Sequence, residues 1–197
     1  MKKTAIAAVI SCALLSGCQT PTAYIDASDT QNHVAAALTY ADFNKAATEL
    51  AEEVIAAPGI GQKDGSRTIV YVAEITNDTM QRIDTEQLTK GIRVKMLQSG
   101  KFAMTTAMGE DNTIHKMSEL KKSKTFNEAT VKTGGKALAP DFSLTGKIMQ
   151  RDLTLDNGDT RIEYYFQMSL THLEYGIAYW EGERVIGKIA DGDTVSW

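Results

Sequence analysis

The sequence is poor in cysteine, proline, histidine and aromatic residues: among 197 residues there are two Cys, three Pro and three His, and Phe, Trp and Tyr together make 7%. Two cysteines are too few for a disulfide framework or a four-cysteine zinc site. Three prolines exclude a collagen-like or proline-rich chain. His33, His115 and His172 stand in neither H-x-x-x-H nor H-E-x-x-H spacing, so no two of them share a helix face as metal ligands would. Basic residues are also in deficit, 21 against 25 acids, for a formal charge of -4. A general nucleic-acid binder needs a basic excess or stripe to displace counterions.

Catalytic signatures are absent in the same way. There is no G-x-S-x-G elbow, and the glycine-rich segment from Gly59 to Gly65 fits neither phosphate-binding pattern, so it reads as a connector. The acid pairs Asp156/Asp159 and Glu181/Glu183 flank glycines. They read as solvated turns, because a glycosidase dyad needs one acid in a dry pocket. A calcium loop over Asp152 to Asp159 fails because Asn157 stands where the invariant glycine belongs. The expectation is a protein that is not an enzyme and has no cofactor and no metal.

What is present begins at the amino terminus. Met1-Lys2-Lys3 is cationic, and Thr4 to Leu15 is apolar apart from Ser11 and the terminal Thr4. That run is too short for the roughly 20 residues of a membrane-spanning helix, and it matches a secretory signal. It ends in Leu15-Ser16-Gly17-Cys18, which looks like the bacterial lipobox. Small residues at 16 and 17 let the backbone enter a peptidase cleft, and the Cys18 thiol accepts the lipid. Cleavage before Cys18 discards Cys12, leaves no free thiol, and removes Lys2 and Lys3, taking the formal charge from -4 to -6. Gln19 rather than Asp follows the cysteine. By resemblance to enterobacterial lipoproteins, that implies the periplasmic face of the outer membrane.

The organisation expected is a signal over 1–17, a lipidated flexible tether over 18–38 and a globular domain over 39–197. The tether is small and polar with no convincing period. Thr39 with Asp42 resembles a helix N-cap, and Phe43, Ala47, Leu50 and Val54 recur at helical spacing until Pro58-Gly59. Thr68 to Ile75 is β-branched and nearly continuous in apolarity, the pattern of a strand covered on both faces, and Thr76-Asn77-Asp78-Thr79 breaks it. Asp84 caps a second helix that Ser99-Gly100 ends, and Phe102 to Thr106 reads as a short strand.

A polar third segment, about Asp111 to Lys132, reads as partly helical, with Lys121, Lys122 and Lys124 on a solvated face. Phe142 to Met149 alternates as a strand, and Asn157-Gly158 predicts a tight primed hairpin turn. Ile162, Tyr164, Phe166, Met168 and Leu170 then fall on one face in strict alternation, and Ile177 to Trp180 reads as the last core strand. The order implies an α+β fold, a small, mainly antiparallel sheet with helices packed on its faces.

Several of these stretches, taken in order, resemble one family. Ile69-Val70-Tyr71-Val72, the break at Asn77-Asp78-Thr79, Leu97 to Phe102, Ala139-Pro140-Asp141-Phe142, Thr145-Gly146 and Met168 to Gly182 together resemble the globular domain of the LpoB family, over about Tyr40 to Lys188. The family is that of outer-membrane lipoprotein activators of a bifunctional penicillin-binding protein. The resemblance implies a fold similar to the amino-terminal domain of TolB, no chemistry of its own, and stimulation of peptidoglycan synthesis through binding that synthase. It gives no interface residues one by one. From the sequence alone, Asn77, Asp78 and Arg82 mix donors, acceptors and a cation at the end of a strand, where binding residues often sit.

Two departures from the family's better-known members stand out. The tether here has Pro21 alone, and at roughly 3.3–3.6 Å per residue its ~20 residues reach about 70 Å fully extended. The residues from Ile189 to Trp197 also have no counterpart. A structural or secretion-associated envelope lipoprotein of the curli-export or flagellar kind is the alternative.

Overall fold

The computed structural model describes residues 25–29, 35–62, 64–106, 108, 116, 119 and 138–191. Helix α1 (Tyr40–Ala56) starts on the capping box expected of it. The Thr39 amide donates to Asp42 Oδ2 at 2.8 Å, and Thr39 Oγ1 accepts from the Asp42 amide at 3.4 Å. The pair satisfies two of the donors that a helix N-terminus otherwise leaves unpaired. The helix buries Ala46, Ala47, Leu50, Ala51 and Val54, and it stops at extended Ala57 because the following Pro58 disfavours helical backbone there.

Strand β1 (Thr68–Asp78) follows, then helix α2 (Thr85–Gln98), strand β2 (Phe102–Met104), and the strands β3 (Phe142–Thr154), β4 (Thr160–His172) and β5 (Ile177–Ala190). Asp84 caps α2, its carboxylate accepting from the Gln87 amide at 3.0 Å, and Gly100 takes a positive φ of 75° just past the helix end. The sheet order is β2-β1-β3-β4-β5. β1 lies parallel to both neighbours, and β3, β4 and β5 form an antiparallel meander that supplies most of the ladder.

Three expectations change in detail. Thr76 to Asp78 do not break β1; they pair with Lys147, Ile148 and Met149 of β3, so the ladder carries the strand past its polar end. Asn157-Gly158 does turn the β3–β4 hairpin, yet only Gly158 has positive φ, at 90°. The Leu155 amide donates to Asp159 O and the Gly158 amide to Leu155 O, giving a three-residue loop closed by a left-handed glycine instead of a two-residue primed turn. Finally, Glu181 and Glu183 flank Gly182 within β5 and not in a turn.

β5 is an edge strand of 14 residues, so of Ile177 to Trp180 only Trp180 packs against the core, and Ile177 and Tyr179 are 56% and 43% exposed. The alternation on β4 is fully expressed. Ile162, Tyr164, Phe166, Met168 and Leu170 are all buried, and α1 and α2 together cover that one face, α1 over β4 and β5, α2 over β1 and β2. One contiguous core results, joining Leu50 and Val54 of α1 and Ile92 and Met96 of α2 to Val70, Leu144, Ile148 and the β4 row. β1 is deeply buried at Val70 and half-buried at Ile69, Tyr71 and Val72, as a central strand with parallel neighbours should be. The α+β class expected from the element order is the observed one. Of the expected third helical segment, Lys116 and Glu119 are helical, and the three lysines near 122 lie outside the described residues.

Candidate functional site

Because β4 and β5 are long and antiparallel, the domain has two well-separated poles. At one, β4 begins and β5 ends: Ile162 pairs with Lys188. At the other, His172 pairs with both Ile177 and Phe142. At about 3.3 Å per residue, the ten steps from Ile162 to His172 separate the poles by roughly 33 Å.

The first pole receives the chain before α1. Leu38 is buried, and Ala36 packs against the core, so packing begins before Thr39. Gln81 bonds both backbone groups of Leu38 at 2.8 Å. Lys188, with a side chain only 8% exposed, donates to Ala35 O at 2.8 Å, to Ala37 O at 2.7 Å and to the Asp42 carboxylate. Burial is the largest single influence on the Asp42 carboxyl and opposes ionisation, yet the bonds from Lys188 and Thr39 together hold it below the usual carboxylate range.

Asn77 and Asp78 lie beside this pole and are engaged within the domain. Asn77 Oδ1 accepts from the Thr79 amide and hydroxyl, and Asn77 Nδ2 donates to Gln81 O at 2.9 Å. Asp78 pairs with Lys147 at 2.6 Å. Arg82 is exposed and lines a shallow hollow with Ile83, Asp84 and Glu86. Leu15, Ser16, Gly17 and Cys18 lie outside the described residues.

The second pole carries a cluster of rings that sequence reasoning missed. His172 stacks on Tyr175 at 4.7 Å between centroids with planes 16° apart, meets Phe142 edge-on at 4.8 Å, and lies tilted against Tyr179 at 5.4 Å. Its Nδ1 is buried and has no hydrogen-bond partner among the described residues. Glu174 pushes the Tyr175 hydroxyl up, first by its charge and then by a hydrogen bond to it.

Beneath the rings, Asp141 fastens three segments. Its carboxylate accepts from the Ile69 amide at 2.8 Å and from Gln62 Nε2 at 3.1 Å, its amide donates to Ile69 O, and its carbonyl accepts from the Leu173 amide. A hollow of about 440 Å³ opens between the Gly59–Gln62 loop, Pro140, Phe142, His172, Glu174 and Tyr179. The only sequence signal for this convergence was the pair of stretches around Pro140-Asp141-Phe142 and Gly176 to Trp180, which the fold places side by side.

The model of a family described as the peptidoglycan-synthase activator LpoB matches residues 42–186. The chain belongs to the LpoB family. The second pole and the sheet to Ile186 fall inside the LpoB match, whereas Leu38 and Lys188 of the first pole fall outside it, as do the tether and lipobox. Among solved structures, the LpoB C-terminal domain from Salmonella enterica is similar at 16% identity, over 74% of this chain and 98% of that one, with a TM-score of 0.47. The domain from Escherichia coli is similar at 15% identity, over 75% and 99%, with a TM-score of 0.47. Lipoprotein GNA1162 from Neisseria meningitidis is similar at 12% identity, over 62% and 84%, with a TM-score of 0.37. No curated protein matches the chain. Among the described residues of this LpoB-family chain, no helix is long and apolar enough to cross a membrane, and no group of metal-ligating side chains comes together.

Proposed function

We propose that the protein is an outer-membrane lipoprotein that binds a bifunctional penicillin-binding protein and stimulates its synthesis of peptidoglycan. The observation that carries this reading is the family match over residues 42–186. The signal and lipobox support the location: Cys18 carries the lipid, Gln19 sorts the protein to the outer membrane, and residues 19–34 tether the domain. Two or more acyl chains make such an anchor stable.

Stimulation by a bound protein is a coupling free energy. The domain must bind the active form of the synthase more tightly than the inactive form, and a tenfold difference corresponds to about 1.4 kcal/mol. No proton or bond need be moved by this chain for that to happen.

The test uses the full lipidated chain in detergent with the bifunctional synthase of the same cell, measuring affinity and the rate of glycan polymerisation. Saturable binding with a raised rate is expected. No binding and no rate change would remove the reading, and homo-oligomeric rings without synthase affinity would favour a structural lipoprotein instead. Cys18→Ala should leave the domain folded and release it from the outer-membrane fraction; retention there would refute the lipobox assignment.

A further inference from the structure

Of the thirteen large hydrophobic side chains that stand exposed among the described residues, five gather at the second pole: Leu138, Leu173, Tyr175, Ile177 and Tyr179, between 43% and 72% exposed. A concentration of that kind marks an interaction surface, whereas single exposed apolar residues do not. Tyrosine is among the residue types that dominate binding energy at protein interfaces. The platform is also preset, since His172 holds Tyr175 by stacking and Asp141 fixes the loop beneath. Little ordering is therefore left to be done on binding.

We propose that this aromatic pole is the surface with which the domain docks onto the synthase, a proposal that rests on the activator reading above. Where the chain enters the domain argues for that occupant. Residues 35–38 are pinned at the first pole by Gln81 and Lys188, so the lipid pulls from there and the rings face away from the outer membrane. A tether over residues 19–34, about 55 Å at full extension, gains roughly 33 Å more reach when contact is made at the far pole. Docking through the Asn77–Arg82 loop forfeits that gain, and the side chains of Asn77 and Asp78 are already spent inside the domain.

Leu138, Leu173 and Ile177 are the other large exposed side chains at this pole, and such an apolar surface suits an apolar patch on a protein. The exposed Glu174 on the rim calls for a basic residue beside that patch.

The experiment measures the Kd of the full lipidated chain and its variants for the bifunctional synthase in detergent, with circular dichroism as a check on folding. Tyr175→Ala and Tyr179→Ala should each raise Kd tenfold or more and lower the stimulated rate in parallel. Val185→Ala and Arg82→Ala, away from this pole, should stay within twofold. Kd values within twofold for both tyrosine variants would overturn the docking surface while leaving the activator reading intact. Loss with Arg82→Ala alone would move the contact to the first pole. Loss of binding to purified peptidoglycan with synthase affinity retained would reassign the rings to glycan. A wild-type chain with no synthase affinity would remove both readings together.

Discussion

Gln81 grips Leu38 by both backbone groups: Nε2 donates to the Leu38 carbonyl and Oε1 accepts from the Leu38 amide, each at 2.8 Å, across 43 residues of sequence. This two-point bond fixes where the chain enters the domain. Gln81→Ala removes both bonds at about 0.5–1.5 kcal/mol each and should cost about 1–3 kcal/mol in urea unfolding. It should also speed proteolysis between residues 30 and 38 in the native protein. Unchanged proteolysis there would mean that Lys188 alone holds the segment.

Lys188 predicts a pH dependence. The Asp42 carboxyl is depressed in the fold, so its contribution is complete above the unfolded value of about 3.9 and is lost as pH falls through the lower folded value. Lys188→Met removes the ammonium and leaves a carboxylate only 15% exposed. Burial then dominates, and the folded value rises. The variant should lose about 3 kcal/mol at neutral pH, as a broken buried pair does. Its acid-unfolding midpoint should move to higher pH, read by circular dichroism across pH 2 to 6; an unmoved midpoint would show that Thr39 alone holds the charge.

Gly182 lies where α1 crosses the edge strand. A Cβ there would stand 2.9 Å from Leu50 Cδ2 and closer still to the Trp180 ring. Gly182→Ala should destabilise by about 1–3 kcal/mol through overpacking. Leu50→Ala in the same chain should recover part of the loss beyond additivity, whereas strictly additive costs would show that the Trp180 ring alone gives way.

The β4 row supplies a pair of contrasting changes. Phe166 is 3% exposed, and Phe166→Ala should cost about 3–5 kcal/mol by equilibrium unfolding. Tyr164 is fully buried with its hydroxyl unpaired by hydrogen-bond geometry among the described residues, so Tyr164→Phe should cost under about 1 kcal/mol or stabilise slightly. A larger loss would reveal a bond to the adjacent Leu38 backbone.

Much of the fold was legible because its signals are local. Thr39 with Asp42, Asp84 and Gly100 set both helices through bonds spanning a few residues, and the alternation from Ile162 to Leu170 fixed a strand and its buried face. The edge strand was harder to read: Glu181-Gly182-Glu183 has the composition of a turn, and only pairing with Gln167 to Ser169 makes it extended. The partner loop misled for a related reason. Asn77 and Asp78 look like free recognition groups until Gln81 and Lys147 are seen to occupy them.

The sequence by itself determined the class of the fold, which is written in short-range spacing, and the family, which is written in the order of several stretches. Tertiary structure alone decided which end of the domain receives the chain before α1 and which gathers the rings. Leu38 meets Gln81, and Phe142 meets His172 and Tyr179, across separations that no periodicity encodes. The aromatic pole exists because a parallel crossover brings Asp141 and Phe142 beside β1 while the β4–β5 turn folds back onto them. Contacts of that range are fixed by the packing of the whole sheet.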